Sequence, residues 1–307
     1  MPQHQQPEPQ HAEPQHAEPQ NPGPQNPGPQ QPEPGDEPSD DPQPAARVAV
    51  TGAAGGIGQA ICALLTERGW TVHALDREPL SDTAAAASFV PCDLLDAESV
   101  AAAVGTLYAD DQRPVSLVNA AGIVENDVAA EDLDLALVDR VLGVNLRGTF
   151  VACQAFGREL LARGGGGIVN IASMSGNHVV NFPQRQCIYN VSKAAVTALG
   201  KSLAVEWAGR GVRVNTVSPG YIDTPLNSLK THMHQQWKEG TVVDRMGTPR
   251  EVAEAVEFLL SNRSGYFVGA ELLMDGGSRC DEHPRSQHPD HHPRPAVGGG
   301  PRPGHHR

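Results

Sequence analysis

The chain has 307 residues, carries 23 Lys and Arg against 36 Asp and Glu, and has a formal charge of -13. That balance offers no basic patch, which sets nucleic acid aside as a partner class. No run of 18 apolar residues occurs and no signal-peptide core opens the chain, so a soluble cytoplasmic protein without a membrane partner is expected.

Both ends are poor material for a core. Residues 1–45 are dominated by Pro, Gln, Glu, Gly, Asn, His and Asp, and His-Ala-Glu-Pro-Gln and Asn-Pro-Gly-Pro-Gln each occur twice. Such a composition buries too little apolar surface to offset chain ordering, so a disordered, partly polyproline-II arm is expected. Residues 279–307, rich in His, Pro, Gly and Arg, read as a second disordered arm. Its histidines, His283, His288, His291, His292, His305 and His306, lack fixed ligand spacing, and no metal site is assigned. Residues 46–278 have the length of one α/β domain. Cys62, Cys92, Cys153, Cys187 and Cys280 are scattered without CxxC spacing, as suits reduced thiols.

In chain order, residues 47–50 are a β-rich run leading into Thr51-Gly52-Ala53-Ala54-Gly55-Gly56-Ile57-Gly58. A helical pattern follows, with Ile57, Ile61, Leu64 and Leu65 on one face and Gly69 as its stop. Residues 71–75 form a second strand ending at Asp76, and residues 88–92 a third ending at Asp93, before a helix over 96–107. A fourth strand, 115–119, enters Ala120-Ala121-Gly122, and a long helical stretch covers 130–163 with a break at 143–148. Residues 167–171 are a fifth strand stopping at Ala172-Ser173, and the helix carrying Tyr189 runs to about residue 208. A sixth strand spans 212–217, residues 221–247 lack a period and read as a lid or substrate loop, and 249–260 is helical. Residues 271–274 form a last strand, closed by Asp275-Gly276-Gly277.

Strand and helix alternate throughout. The expected fold is therefore α/β, a single-domain Rossmann-type doubly wound parallel sheet with ligands outside the carboxyl ends of its strands. The glycine turn, Asp76, Asp93, Asn119, Ser173 and Pro219-Gly220 all fall at such ends.

Gly52, Gly56 and Gly58 lie between a strand and a helix, where a diphosphate needs close backbone approach and free N–H groups. Asp76, 24 residues beyond Gly52, can accept both hydroxyls of a ribose and repels a 2′-phosphate. Gly55 supplies no cation for such a phosphate, so NAD is favoured over NADP; Arg77 either stacks on adenine or partly neutralises Asp76. Tyr189 and Lys193 are four apart and share a helix face, where a cation favours the phenolate.

Thr51-Gly52-x-x-x-Gly56-x-Gly58, Asp93-Leu94, Asn119-Ala120-Ala121-Gly122, Asn145, Ser173, Tyr189-x-x-x-Lys193 and Pro219-Gly220 with Thr224 occur in one order over about residues 46–278. This series resembles the short-chain dehydrogenase/reductase family, and the wording of 173–186 and 202–208 is similar to its polyol and sugar dehydrogenases. The resemblance implies a hydride-transferring alcohol oxidoreductase. In it Gly52, Gly55, Gly56, Ile57, Gly58, Asp76 and Arg77 would bind the dinucleotide, and Asp93 and Leu94 its adenine. Asn119, Ala120, Ala121 and Gly122 would line the riboses and secure the central strand, and Pro219, Gly220, Ile222 and Thr224 would hold the nicotinamide. Tyr189 would exchange a proton with the substrate oxygen, and Lys193 would lower the phenol pKa and bind the ribose. Ser173 would stabilise the developing charge, and Asn145 would hold a water linking Lys193 to solvent.

The Ser173–Tyr189 gap of sixteen is long for the family. Ser175 is closer to Tyr189, but Ser173 follows its strand at the family's offset and is taken as the catalytic serine. Ser175, Asn177, His178, Gln184 and Gln186 would then meet a polyhydroxylated alcohol or ketone. The resemblance further implies a homotetramer or homodimer packed through the helices near 130–163 and 189–208. A catalytically silent dinucleotide-binding redox sensor or scaffold is the alternative, and a sugar-nucleotide epimerase is disfavoured by the glycine spacing.

Overall fold

The structure, a computed structural model, describes residues 46–125, 127–177, 184–228 and 230–278. The two expected arms, 1–45 and 279–307, and His178 lie outside the described residues. The strands are β1 (Arg47–Thr51), β2 (Thr71–Asp76), β3 (Ser88–Pro91), β4 (Val115–Asn119), β5 (Gly166–Ile171), β6 (Val212–Pro219) and β7 (Glu271–Met274). Among the described residues they form one seven-stranded sheet, parallel throughout, in the order β3-β2-β1-β4-β5-β6-β7. The strand order reverses between β1 and β4, which pair with Thr51 opposite Asn119. A crevice opens above that point in doubly wound sheets.

The helices are α1 (Gly56–Glu67), α2 (Ala97–Leu107), α3 (Leu135–Leu142), α4 (Thr149–Ala162), α5 (Met174–Asn177), α6 (Cys187–Trp207), α7 (Pro225–Ser228), α8 (His234–Glu239) and α9 (Pro249–Leu260). Successive side chains of a strand point to opposite faces, so β1 sends Val48 and Val50 one way and Ala49 the other. Val48 and Val50 meet Ile61, Leu64 and Leu65 of α1 and Val252 and Val256 of α9. Ala49 belongs to the opposite core, with Val100 of α2, Phe156 and Leu160 of α4, and Leu203 and Trp207 of α6. Burial on both sides explains why β1 is apolar without alternation. Caps mark where the helices begin: the Asp96 carboxylate accepts from Glu98 N, and Thr248 and Glu251 form a capping box ahead of α9 with Pro249 in its first turn.

Two expectations change in detail. The stretch 130–163 is not one helix with a simple break: α3 and α4 are joined by a π-helical turn, Gly143–Gly148. The wider turn tucks Asn145 inward, fully buried, and such turns concentrate at functional sites. Residues 221–247 are not structureless either. They contain α7 and α8, and Met233, Trp237 and Met246 form a small core against Tyr221. Tyr221 and Trp237 stack at 4.9 Å. These helices are too short to print a period in the sequence. Among the described residues, no helix is long and apolar enough to cross a membrane.

Candidate active site

The turn after β1 and the loop after β4 touch backbone to backbone. Gly52 has φ +66°, and a Cβ there would stand 2.5 Å from N and Cα of Ala121. A Cβ on Gly58 would stand 2.1 Å from the Gly52 carbonyl oxygen, so α1 can start against the turn only with glycine there. Gly55 caps α1 without a side-chain bond, which leaves first-turn amides of the helix for an anion.

Above this turn run two adjoining cavities that share Gly52, Gly55, Ala120, Gly122 and Ile123, forming one groove along the strand ends. At one end lie Asp76, Arg77, Asp93, Leu94 and Ala121. The Asp76 carboxylate accepts from Ala54 N at 2.9 Å and from Arg77 N at 2.7 Å, which ties β2 to the glycine turn. Asp93 accepts from Leu95 N at 2.9 Å. Arg140 of α3 also reaches this end, a contact with no local sequence signal.

Asn119 sits beneath the groove and lines neither cavity. Its Nδ2 donates to Asn170 Oδ1 at 2.9 Å and its Oδ1 accepts from Thr51 Oγ1 at 3.4 Å, so it secures β1, β4 and β5 to one another.

The other end gathers Ser173 from the end of β5 with Tyr189 and Lys193 from α6. The Ser173 hydroxyl lies close enough to the Tyr189 phenol to draw its pKa down. Ser175 lines the same cavity, and its amide donates to Ser173 Oγ at 3.2 Å. Lys193 Nζ donates to Ile171 O at 2.8 Å and lies 5.8 Å from the Tyr189 ring centroid. A Cβ on Gly122 would come within 3.1 Å of that Nζ.

Burial raises the Tyr189 phenol above its ordinary value; the Ser173 hydroxyl pulls it back and the Glu125 charge adds to the rise. Burial also brings Lys193 down to about 8. Of the contacts acting on the phenol, the one that lowers it is Ser173.

Asn145 lines neither cavity, and its side chain is a staple. Oδ1 accepts from Ile123 N at 2.8 Å, while Nδ2 donates to Ile123 O at 2.8 Å and Ser192 Oγ at 2.9 Å. Ser192 Oγ in turn donates to Tyr189 O at 2.7 Å. The π turn, the loop after β4 and the helix bearing the phenol are thus tied together.

Gln184 and Gln186 line the cavity beside Tyr189, and Tyr221, Asn227, Lys230 and Trp237 close it from the segment after β6. Pro219, Gly220, Ile222 and Thr224 line it as well, together with Gly56, Ile57 and Gly58. Asn177 is turned elsewhere, its amide paired with Glu271. Sequence reasoning missed Tyr221 and Trp237 because their segment reads as loop. It also missed Glu125, whose carboxylate accepts from the amides of Ile188 and Tyr189.

A dinucleotide fits this groove. Its glycine turn admits a diphosphate, Asp76 stands beside that turn, and the phenol, hydroxyl and ammonium wait at the far end. Among the described residues, no group of three or more His, Cys, Asp and Glu could hold a metal ion.

Residues 52–279 match the family model described as Enoyl-(Acyl carrier protein) reductase. Galactitol 2-dehydrogenase (L-tagatose-forming) of Cereibacter sphaeroides is 42% identical over 76% of this chain and 94% of that protein. The NADH-dependent L-xylulose reductase of Ambrosiozyma monospora is 36% identical over 74% of this chain and 93% of that protein. The crystal structure of a short-chain type dehydrogenase/reductase from Mycobacterium marinum is 34% identical, covers 78% of this chain and 97% of its own, and has a TM-score of 0.73.

Proposed function

The chain belongs to the short-chain dehydrogenase/reductase family and acts on CH–OH groups, and on that premise we propose that it interconverts a polyol or sugar-derived secondary alcohol and its ketone with NAD. The observation that carries this reading is the convergence of Ser173, Tyr189 and Lys193 at one end of a groove whose other end presents Asp76. A bound nicotinamide supplies the hydride acceptor or donor.

The residues of the chain do the rest. Ser173 donates to the substrate oxygen and holds it beside the phenol, where its dipole offsets developing negative charge. Tyr189 takes the hydroxyl proton during oxidation and returns it during reduction. Lys193 keeps a positive charge at the floor of the site and donates toward the ribose. Asn145 acts through Ile123 and Ser192, holding the phenol's helix in place; the water relay expected from the family stays part of this proposal.

NAD is favoured because the Asp76 carboxylate, anchored on Ala54, stands where a 2′-phosphate would have to enter. The NADH-dependent relative agrees with that choice. A polyhydroxylated substrate is favoured by the sugar-alcohol relative and by the amides of Gln184, Gln186 and Asn227 around the cavity. A silent redox sensor would need no serine, phenol and ammonium gathered in one cavity, which disfavours that alternative.

Phe150, Val191 and Val205 are 42%, 56% and 86% exposed on α4 and α6. Apolar side chains left open on these helices favour a homodimer or homotetramer joined through them. The free thiols of Cys62, Cys92, Cys153 and Cys187 suit the cytoplasm. A screen of NADH formation across polyols, simple secondary alcohols and sugar acids tests the reading. Turnover of vicinal polyols is expected, and silence across all three classes with NAD and NADP alike would overturn it.

A further inference from the structure

Glu125, on the loop after β4, is 1% exposed, and no step above uses it. A buried carboxylate needs strong partners, because desolvation costs several kcal/mol. Here the partners are backbone amides of α6. Oε1 accepts from Ile188 N at 2.9 Å and Tyr189 N at 3.2 Å, and Oε2 accepts from Tyr189 N at 3.0 Å. First-turn amides lack partners within their helix, and the N-cap residue Gln186 gives α6 no side-chain bond. A carboxylate more than sixty residues upstream does the capping instead, at the positive end of the helix dipole.

Two residues on, Asp127 Oδ1 accepts from Arg185 N at 2.7 Å. The loop 123–127 and the segment 185–189 therefore form a clasp around the substrate end of the groove. Ile123 and Val124 line one side of that cavity, and Gln186 and Tyr189 the other. Asn145 fastens the same loop to the same helix through Ile123 and Ser192.

We propose that Glu125 is a positioning residue for the reaction: held by the Ile188 and Tyr189 amides, its carboxylate sets how α6 presents the phenol and places a negative charge against it. The inference rests on Tyr189 as the proton-transfer group. The charged groups facing that phenol include Lys193 on its own helix and Glu125 from the β4 loop, Lys230 lines the same cavity from the segment after β6, and β5 contributes the neutral Ser173. Asp127 and Arg185 lie at the exposed rim of the clasp. A negative charge disfavours the phenolate, and Glu125 adds to the rise that burial imposes on Tyr189.

The test compares wild type, Glu125→Gln, Glu125→Asp, Glu125→Ala and Tyr189→Phe. Read out are the pH profile of kcat/KM for alcohol oxidation, kcat, the NADH Kd by fluorescence, and amide hydrogen exchange of the cofactor-free chain. Glu125→Gln keeps the shape and removes the charge. Its rising limb should move to lower pH by about half a unit or more, because the phenolate forms more readily. Exchange should quicken over residues 185–189 alone. Glu125→Ala should lose about tenfold or more in kcat with an unchanged NADH Kd, since small misplacements of a reacting group are costly. Glu125→Asp should recover part of that loss. A Glu125→Gln profile superimposed on wild type, or a parallel loss of kcat and NADH binding across the series, would overturn the role of Glu125. Turnover by Tyr189→Phe would instead sink the assignment of Tyr189 on which the inference rests.

Discussion

If the proposed preference for NAD rests on Asp76, then Asp76→Ala is the most informative single change at the adenosine end of the groove. The carboxylate accepts from the Ala54 and Arg77 amides at 2.9 and 2.7 Å, which holds it beside the glycine turn. Its ribose hydrogen bonds, made by a charged acceptor, are worth about 2 kcal/mol toward NAD. Repulsion between this half-exposed charge and a 2′-phosphate a few ångströms away costs NADP about 2 kcal/mol at an effective dielectric between surface and water. Both terms vanish in the variant, so the ratio of kcat/KM for NADH over NADPH should fall by two to three orders of magnitude, at about 1.36 kcal/mol per tenfold. Arg77 and Arg140 line the same cavity and would help receive the phosphate. Steady-state ketone reduction with each cofactor gives the ratio. Asp76→Asn serves as the charge-only control, because its amide oxygen can still accept from Ala54. A ratio that stays within about threefold of wild type, less than 1 kcal/mol, would refute the electrostatic account of NAD preference.

Three further predictions follow from other parts of the structure. Asn145→Ala leaves Ile123 N and Ile123 O without their partner, while Ser192 Oγ keeps its bond to Tyr189 O; at about 1 kcal/mol or more per stranded group, urea unfolding should report a loss of about 2 kcal/mol, and an unchanged midpoint would contradict the stapling role. His73 is brought down to about 4 from 6.5 by burial and then by Arg47, so the unfolded chain binds its proton first. Its contribution is complete above pH 6.5 and is lost as pH falls toward 4, and His73→Gln should flatten the fall in urea midpoint across that window. Val205→Lys puts a charge on the most open apolar site of α6 and should shift the sedimentation profile toward monomer, whereas an unaltered oligomer would place the interface elsewhere.

Much of the site could be read before any fold was known, because its signals are local. A glycine turn between strand and helix, an acid closing the next strand, and a phenol and ammonium one helical turn apart are patterns of neighbours along the chain. Ser173 could be preferred to Ser175 from its offset after β5, and both serines line the cavity with Tyr189. What escaped is held together by residues distant in sequence. Glu125 caps a helix 63 residues away, and Asn145 reaches back 22 residues to Ile123. The π turn that carries Asn145 looks like a helix break in sequence, since both interrupt the 3.6-residue period. Tyr221, in the loop after β6, stacks on Trp237 of the short helix α8, and neither segment is long enough to show a period. The pull of burial on Tyr189 and Lys193 depends on the packed fold and could not be seen in residue spacing.

The central claim is that Tyr189 exchanges the proton. Replacing it with Phe removes one oxygen from a half-buried ring and leaves the glycine turn, Asp76 and Lys193 in place. Tyr189→Phe, measured by fluorescence titration with NADH and by stopped-assay turnover of the best polyol, should bind NADH as tightly as wild type and lose at least about a hundredfold in kcat, the scale of general acid–base catalysis. Turnover at the wild-type rate with intact NADH binding would contradict the account.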